Sequence, residues 1–356
     1  MEDIKYMKIA LKLAARGMGF TEPNPMVGAV VVKDGHILGA GYHQRFGADH
    51  AERAALKNVT EPGATLYVTL EPCSHFGKTP PCVDFLLEKK VQRVVTAMQD
   101  PNPLVNGKGI RKLEENGIQV DVGLFSEMAR KLNRHYIKYM TCQTPYDTLK
   151  AGVSLDGKLT DKFRNSQWVT DEKMRGFSHS LRGEFSAVMV GVQTAIEDDP
   201  QLNIRELAWG DKKLFRIVLD THNRLDTRLQ IFKGDQEQFP LVIFSSKETE
   251  NKTPKVKQHF FVTPGVGGGV DLHEVLANLY QLGIASVIVE GGGGLFNSFL
   301  EEKLYDEIIL TAAGTLIGGQ DSVQLFSRGT SVSTPIELKE REITVLESGY
   351  IIRGYR

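Results

Sequence analysis

Cysteine is scarce in this sequence, with three among 356 residues. So few thiols exclude the disulfide framework of a small secreted domain and favour metal binding or catalysis instead. An excess of either charge is also missing, because 43 basic residues stand against 44 acidic ones and the formal net charge is -1. A general nucleic-acid binder needs a basic surface to neutralise phosphates, so we expect no nucleic-acid partner.

Long apolar runs are missing as well. No uninterrupted apolar stretch approaches the length that spans a bilayer, and residues 1–5 lack the basic-then-apolar order of a signal sequence. We therefore expect a cytoplasmic protein with no membrane partner. At 356 residues the chain is long for one hydrophobic core, which favours two domains.

Two of the three cysteines belong to a pattern of metal ligands. His50, Cys73 and Cys82 supply one imidazole and two thiolates, which leaves the fourth position of a tetrahedral Zn²⁺ open for water. Glu52 is not needed as a ligand and is placed to carry protons for that water, as in the zinc deaminases of bases and nucleotides. Cys82 lies nine residues after Cys73, which is farther than in the common deaminase pattern, so residues 74–81 loop out between the sulfurs. A structural zinc site, or two core cysteines with an N-capping histidine, is the alternative.

Hydrophobic periodicity predicts alternating helices and strands in the first part of the chain. A hairpin is expected at Asp34-Gly35, and a helix is expected to begin at Ala51 and another just before Cys82. The predicted helices include 4–15, 109–116 and one continuous helix at 126–140; the predicted strands are 27–32, 37–41, 65–70, 91–97 and 118–122. This alternation predicts a three-layer αβα domain.

A second α/β pattern follows a short predicted linker, Thr141–Pro145. Strands are expected at 146–151, 187–191, 215–220, 241–244 and 286–290, with β-rich sequence at 306–311, 336–346 and 350–355. Residues 235–238 and 245–257 are polar and are predicted to be surface loops. We therefore predict one domain at 1–144 and a second at 145–356.

A run of four glycines, Gly291–Gly294, separates the strand that ends at Glu290 from a predicted helix. Strand, glycine turn and helix N-terminus together favour phosphate binding, because free backbone N–H groups face the anion. The spacing does not satisfy the Rossmann pattern, since Asn297 stands where a third glycine would fall. The glycines could also serve only a tight turn.

Longer segments resemble a single family. Pro23–Gly28, Thr69–Cys82 and Asp100–Pro103 are similar to the deaminase half of the bifunctional riboflavin-biosynthesis deaminase/reductases. Leu149–Lys158, Ser166–Thr170 and Gly191–Pro200 are similar to their reductase half. The resemblance implies a cytidine-deaminase-like N-terminal domain with Zn²⁺ and a dihydrofolate-reductase-like C-terminal domain that uses NADPH.

The resemblance also implies which residues meet each ligand. A phosphorylated pyrimidine would contact Asn24, His75, Lys78, Asp100 and Asn102 in the deaminase pocket. NADPH would contact Gly152, Trp168, Thr194, Asp198, Thr221, Gly292, Gly293, Gly294, Leu295, Phe296, Asn297 and Ser298. The reductase substrate would meet Ser166, Arg182, Leu202, Arg205 and Glu290, with the two arginines gripping its phosphate by charge-assisted bonds. Lys150 and Asp198 are both options for the proton donor in the reduction.

The function that follows is a two-step conversion in riboflavin synthesis. Diaminohydroxyphosphoribosylaminopyrimidine is deaminated at zinc, and the ribosyl side chain is then reduced with NADPH to give 5-amino-6-(5-phosphoribitylamino)uracil. One alternative is a zinc deaminase of another base or nucleotide fused to a reductase; another is a zinc-stabilised binding protein, against which Glu52 argues. We also expect a homo-oligomer, of a size that the sequence does not give.

Overall fold

The chain divides into two compact units, Met1–Thr144 and Pro145–Arg356. The computed structural model describes residues 2–75, 80–161, 171–204, 209–247, 258–265, 268–326 and 336–356. Within these ranges, no helix combines the length and the apolar character needed to cross a membrane.

The first unit alternates helices and strands. Its elements are α1 (Glu2–Ala14), β1 (Gly28–Lys33), β2 (His36–Tyr42), α2 (Ala51–Leu56), β3 (Thr65–Val68), α3 (Cys82–Glu88), β4 (Arg93–Thr96), α4 (Lys108–Glu115), β5 (Gln119–Val122), α5 (Ser126–Leu132) and α6 (Arg134–Cys142). The sheet order is β2-β1-β3-β4-β5, in which β1 is antiparallel to both neighbours and β3, β4 and β5 run parallel. The β1–β2 hairpin turns at Asp34 and Gly35, both with positive φ, as a two-residue hairpin requires.

Both faces of this sheet are covered. Apolar residues of α1, α5 and α6 pack on one face, and those of α2, α3 and α4 pack on the other, which gives three layers. Gly39 on β2 lets α2 lie directly on the strand, because a Cβ there would come within 2.1 Å of the Ala55 carbonyl oxygen. This close packing fixes α2, which carries Glu52.

The predicted single helix at 126–140 is wrong, because the chain breaks at Asn133 into α5 and α6. Asn133 has φ -102° and ψ 22°, outside helical geometry. Its side-chain amide is hydrogen-bonded to both the N–H and the carbonyl of Met26. The helix α6 also runs on through Thr141 and Cys142, so the connection to the second unit is shorter than the predicted linker.

The second unit is built on a larger sheet. Its elements are β6 (Tyr146–Val153), β7 (Lys158–Thr160), α7 (Glu172–Leu181), β8 (Ala187–Gly191), α8 (Val192–Glu197), β9 (Phe215–Leu219), β10 (Leu241–Ser246), β11 (Gln258–Val262), α9 (Leu272–Gln281), β12 (Ser286–Glu290), α10 (Gly293–Glu301), β13 (Glu307–Ala313), β14 (Val323–Gln324), β15 (Lys339–Leu346) and β16 (Gly349–Tyr355). The main sheet has the order β11-β10-β9-β8-β12-β6-β13-β16-β15, and β7 pairs with β14 separately.

Seven neighbouring strands of this sheet, from β11 to β13, run parallel, so their carboxyl ends lie along one edge. Residues of α9 and α10 pack on one face and residues of α7 and α8 on the other. The predicted loop at 245–257 is wrong at its start, because β10 continues through the buried Ser245 and Ser246. The Ser245 hydroxyl is satisfied inside the protein by Asn223 and His259, which removes the cost of burying it.

Candidate active sites

The three predicted metal ligands converge in the first unit. His50 is the residue directly before α2, where its side chain makes no capping hydrogen bond, and Cys82 is the first residue of α3. Cys73 lies on the loop between β3 and α3. Their ligand atoms all lie within 4.8 Å of one another. The backbone holds this arrangement, because the N–H of Cys82 donates to Cys73 Sγ over 3.3 Å and the N–H of Val83 donates to the Cys73 carbonyl.

The geometry of these atoms fits a zinc ion. His50 Nδ1 lies 3.3 Å from Cys82 Sγ and 3.6 Å from Cys73 Sγ. Tetrahedral Zn²⁺, with Zn–N near 2.1 Å and Zn–S near 2.3 Å, separates its nitrogen and sulfur ligands by about 3.6 Å. One imidazole and two thiolates also match the donor set of a catalytic rather than a closed structural site.

Hydrogen bonds within the protein favour the thiolate form of Cys73. Hydrogen bonds from the Cys82 thiol and from the His50 ring outweigh burial and lower the pKa of Cys73 to about 4. Cys82 gives its hydrogen bond to Cys73 and is buried, and both effects raise the pKa of its own thiol. A bound dication favours the deprotonated form of both sulfurs, so metal binding would release a proton here.

Glu52 lies in the first turn of α2 and is 4% exposed. Burial raises the pKa of its carboxyl group, and the negative charge of Cys73 adds to that effect. A carboxyl group that holds a proton more tightly than usual is suited to both taking up and delivering one near neutral pH.

A cavity of about 320 Å³ opens in front of these residues, within the size range of small-molecule sites. Four of the five predicted pyrimidine contacts line it: Asn24, His75, Asp100 and Asn102. The fifth, Lys78, lies outside the described residues. The remaining walls come mainly from residues that sequence reasoning missed, which include His43, Phe46, Glu71, Val105, Tyr136 and Met140.

His43 orients Asn24. The Asp49 carbonyl oxygen lies 3.0 Å from His43 Nδ1, so this nitrogen carries the proton and donates it. His43 Nε2 is therefore an acceptor, and it accepts from Asn24 Nδ2 over 3.2 Å. Burial lowers the pKa of His43, which agrees with this neutral tautomer. Asn24 is thus turned so that its carbonyl oxygen is the group left to meet a ligand.

Glu71 holds the loop that carries Asp100 and Asn102. This buried carboxylate accepts backbone N–H groups from Asp100 (3.1 Å), Gly107 (2.8 Å), Gly109 (2.8 Å) and Ile110 (3.3 Å). Gly109 must be glycine for this approach, because a Cβ there would lie 2.1 Å from the Pro72 carbonyl oxygen. Only the position of Glu71, two residues before a ligand cysteine, hinted at this role in the sequence.

In the second unit, the predicted NADPH contacts follow the carboxyl ends of adjacent strands. Thr221 follows β9, Thr194 lies in α8 directly after β8, Gly292 follows β12, and Gly152 is near the end of β6. Asp198 ends α8 and is exposed. Ligands of open parallel sheets bind outside this edge. Trp168 lies outside the described residues.

The glycines of the turn between β12 and α10 differ in the space around them. The N–H of Gly292 donates to the Thr194 hydroxyl over 3.3 Å, which brings two predicted cofactor residues together. A Cβ added at Gly292 or Gly294 would meet nothing within 4 Å, so a ligand has room there. A Cβ at Gly293 would lie 2.9 Å from the Leu325 carbonyl oxygen, so this glycine serves the packing of α10. The first N–H groups of any α-helix have no partner within the helix, so the start of α10 is a candidate anion site.

The later residues of the predicted cofactor segment differ in how deeply they are buried. Phe296 and Asn297 are buried, whereas Leu295 and Ser298 are half-buried. Both polar side-chain atoms of Asn297 are buried and have no recorded hydrogen-bond partner among the described residues. Contact of Phe296 or Asn297 with NADPH therefore stays a prediction.

Arg182 and Glu290 form a buried ion pair at the end of β12. The guanidinium donates to Glu290 from Nε over 3.0 Å and from a terminal nitrogen over 2.8 Å, and also donates to the Asn203 carbonyl. Burial alone would raise the pKa of Glu290, but Arg182 and Lys150 outweigh it and bring that pKa to about 2. Burial lowers the pKa of Lys150 while Glu290 opposes the shift.

These contacts change the expected role of Arg182. Its guanidinium is engaged by protein acceptors, so a phosphate would have to compete with Glu290 for it. Leu202, beside Asn203, is buried with a positive φ of 52°. The other two predicted substrate contacts, Ser166 and Arg205, lie outside the described residues.

The first unit brings three zinc-ligand residues together beside a buried carboxylate, and the second unit has a parallel sheet with a glycine turn at its carboxyl edge. These features define a deaminase-type zinc enzyme combined with a dinucleotide-dependent α/β enzyme. The chain belongs to the RibD family of riboflavin biosynthesis proteins. Residues 145–352 match the RibD C-terminal domain, and residues 1–98 match the cytidine and deoxycytidylate deaminase zinc-binding region. The predicted family, the fold class and the pairing of a deaminase with a reductase are confirmed.

Individual relatives are similar over nearly the whole chain. The riboflavin biosynthesis protein RibD of Aquifex aeolicus is 42% identical over 353 residues, covering 98% of this chain and 97% of its own. RibD of Escherichia coli K12 is 40% identical over 331 residues, covering 89% of each chain. The crystal structure of a diaminohydroxyphosphoribosylaminopyrimidine deaminase/5-amino-6-(5-phosphoribosylamino)uracil reductase from Thermotoga maritima superposes with a TM-score of 0.87 at 36% identity, covering 99% and 98% of the two chains.

Proposed function

We propose that the first unit deaminates diaminohydroxyphosphoribosylaminopyrimidine and that the second reduces the ribosyl side chain of the uracil product to the ribityl form. The observation that carries this proposal is the convergence of His50, Cys73 and Cys82 beside the buried Glu52 at one end of a ligand-sized cavity. As a member of the RibD family, the chain is a bifunctional enzyme of riboflavin biosynthesis with Zn²⁺ and NADPH as its cofactors.

In the deaminase site, His50 and the two thiolates hold the metal, which when bound supplies a Lewis acid that activates water. Glu52 moves the proton from the nucleophile towards the leaving amino group, since its carboxyl is buried beside the triad. Asn24, Asp100 and Asn102 bind the pyrimidine, because amide and carboxylate oxygens accept the N–H donors of its ring edge. We assign the phosphate to Lys78 and the neighbouring His75.

In the reductase site, NADPH supplies the hydride when bound. The N–H groups at the start of α10 hold its phosphates, and Thr194 orients Gly292 beside them. Lys150 is the better of the two candidate proton donors, because it is half-buried within the electrostatic influence of Glu290 whereas Asp198 is exposed. In this arrangement Arg182 and Glu290 order each other and the backbone at Asn203, which places Leu202 against the substrate.

The near-neutral net charge supports a small phosphorylated pyrimidine rather than a nucleic acid as the partner. A reducing compartment suits two thiolate ligands, so a cytoplasmic location stays our prediction. Assembly into a homo-oligomer likewise stays a prediction.

A paired assay tests the function. The purified zinc-loaded protein should release ammonia from the diaminopyrimidine and then oxidise NADPH. A deaminase of another base or nucleotide would release ammonia only from that other substrate. Cys82→Ser should lose zinc and ammonia release but keep NADPH oxidation with the pre-deaminated substrate. The matched control is Cys142→Ser, an exposed thiol outside the triad, which should retain both activities. Full zinc in Cys82→Ser, measured by elemental analysis, would contradict the ligand assignment.

A further inference from the structure

Three side chains at the start of α6 fasten loops of the deaminase cavity, and one of them, Tyr136, also lines it. Asn133 breaks the helix, and His135 and Tyr136 follow in the first turn of α6. Each one contacts a loop that lies far from it in sequence, and the two loops concerned carry the pyrimidine contacts Asn24 and Asp100.

The loop around Asn24 is held on both sides. Asn133 Oδ1 accepts the Met26 N–H over 2.7 Å, and Asn133 Nδ2 donates to the Met26 carbonyl over 3.0 Å. His135 Nδ1 lies 2.7 Å from Glu22 Oε1, in a pair whose side chains are 14% and 11% exposed. Asn24 lies between these two attachment points, so α6 limits how far its backbone can move.

The helix α6 contacts the other loop, which Glu71 also holds, through a single hydroxyl that is hydrogen-bonded to Asp100. Tyr136, which is 5% exposed, donates its hydroxyl proton to Asp100 Oδ1 over 2.8 Å. The same oxygen accepts the Asn102 N–H over 2.9 Å. With Oδ1 occupied twice by the protein, Oδ2 is the carboxylate oxygen that can accept from a ligand.

We propose that Asn133, His135 and Tyr136 form a positioning element for the pyrimidine, and that Tyr136 sets the orientation of the Asp100 carboxylate. This inference rests on the proposed deaminase function, since it takes Asn24 and Asp100 as substrate contacts. None of the three residues is a metal ligand or the proton carrier. The loss of one of them should therefore weaken binding of the pyrimidine much more than it slows the chemical step.

The decisive variant is Tyr136→Phe, which removes only the hydroxyl and keeps the ring that lines the cavity. Its matched control is Tyr6→Phe. Tyr6 lies in the same apolar core, is 2% exposed, and donates its hydroxyl to the Gly35 carbonyl over 2.8 Å, at the hairpin rather than at a ligand loop. Both substitutions remove the hydroxyl hydrogen bond of a buried tyrosine. The bond of Tyr136 goes to a carboxylate at a ligand loop, whereas that of Tyr6 goes to a backbone carbonyl at the hairpin.

In kinetics with the zinc-loaded full chain, Tyr136→Phe should raise the KM for the diaminopyrimidine about tenfold, as expected for one lost hydrogen bond to a charged group. Its kcat should stay within about twofold by the same reasoning. Zinc content and NADPH oxidation with pre-deaminated substrate should be unchanged. Tyr6→Phe should leave the KM at its original value. An unchanged KM in zinc-replete Tyr136→Phe, or an equal rise in both variants, would overturn the proposal.

Amide hydrogen exchange tests the same idea without any substrate. Tyr136→Phe should accelerate exchange at residues 100–106, where the Asn102 N–H depends on Asp100, and should leave residues 22–28 unchanged. Asn133→Ala should show the reverse pattern, because its partner is Met26; if this variant does not fold, Tyr136→Phe still decides. Equal exchange in all proteins would exclude positioning. Wild-type protein that releases no ammonia would refute the proposed function alone, because the exchange result would still report on the loops.

Discussion

The acidity of Glu52 is set by its surroundings, because this carboxyl group is almost completely buried beside the zinc triad. Glu52→Gln preserves shape and hydrogen bonding but cannot carry a proton. We expect full zinc content with ammonia release reduced by at least about 10²-fold, the usual loss when general acid–base catalysis is removed. Glu115→Gln, at an exposed site on α4, is the control and should be fully active. Fast turnover by zinc-replete Glu52→Gln would mean that another group moves the proton.

Asp100 should give the deaminase a dependence on pH. Burial raises the pKa of its carboxyl group to about 6, against a lowering by the Asn102 N–H and the Tyr136 hydroxyl, with Glu71 and His75 as the nearby charged groups. The protonated form predominates below that pH, and with Oδ1 held by the protein its proton lies on Oδ2, which then donates instead of accepting. The KM for deamination should therefore rise as pH falls below about 6. Asp100→Asn should have a high KM at every pH and lack this part of the profile.

The same raised pKa has the opposite effect on stability. A carboxyl group whose pKa is higher in the folded state stabilises the fold fully when protonated, below its unfolded value of 3.8, and loses that contribution as pH rises through about 6. The Asp100 carboxylate is therefore kept at the cavity at some cost in stability at neutral pH, as is common for binding sites.

The metal ligands could be predicted from sequence, whereas several cavity residues could not. An imidazole and two thiolates with a spare carboxylate specify one chemistry by residue type alone, and the structure brings them together. His43, Glu71 and Tyr136 have no such signature, because each acts through a partner distant in sequence. The expectation that Arg182 grips phosphate likewise left out Glu290, which lies 108 residues away in the chain.

At the level of elements, the start of α10 should govern cofactor binding. Gly294→Val would place a side chain in the open space beside the first turn of α10, and we expect the KM for NADPH to rise about tenfold or more through blocked approach to the N–H groups. The KM for the pyrimidine in deamination should not change. Gly176→Val, at another exposed helical glycine with open surroundings, is the matched control for lost glycine in a helix. Equal effects of both variants would place the cofactor elsewhere.

The helices and strands that could be predicted from periodicity are mostly those that depend on residues close together in the sequence. The Asp34-Gly35 hairpin and the apolar parallel strands follow from turn chemistry and continuous burial, which are visible in the sequence. The break at Asn133 was missed because it depends on Met26, and nothing near Asn133 in the chain ends a helix. The end of β10 was missed because Ser245 is polar but satisfied by Asn223 and His259.

For the whole molecule, the division at residue 144 predicts separable activities. The unit Pro145–Arg356 has apolar cores on both faces of its own sheet, so a fragment that begins at Thr144 should fold without the first unit. Circular dichroism should show a cooperative thermal transition, and the fragment should oxidise NADPH with pre-deaminated substrate. Full-length Cys82→Ser, which should retain only the reductase activity, is the reference for the rate of NADPH oxidation. A fragment without a cooperative transition would show that the two-unit division does not describe independent folding.

The attachment of Asn133 to Met26 has a consequence for the order of events during synthesis. The loops that bear Asn24 and Asp100 leave the ribosome early, while the turn that fastens them is among the last segments of the first unit to be made. Domains generally fold as units as the chain emerges. The zinc triad is complete in sequence once Cys82 has appeared, but a unit that folds as a whole gains its metal site and its cavity wall together, after α6 has been made.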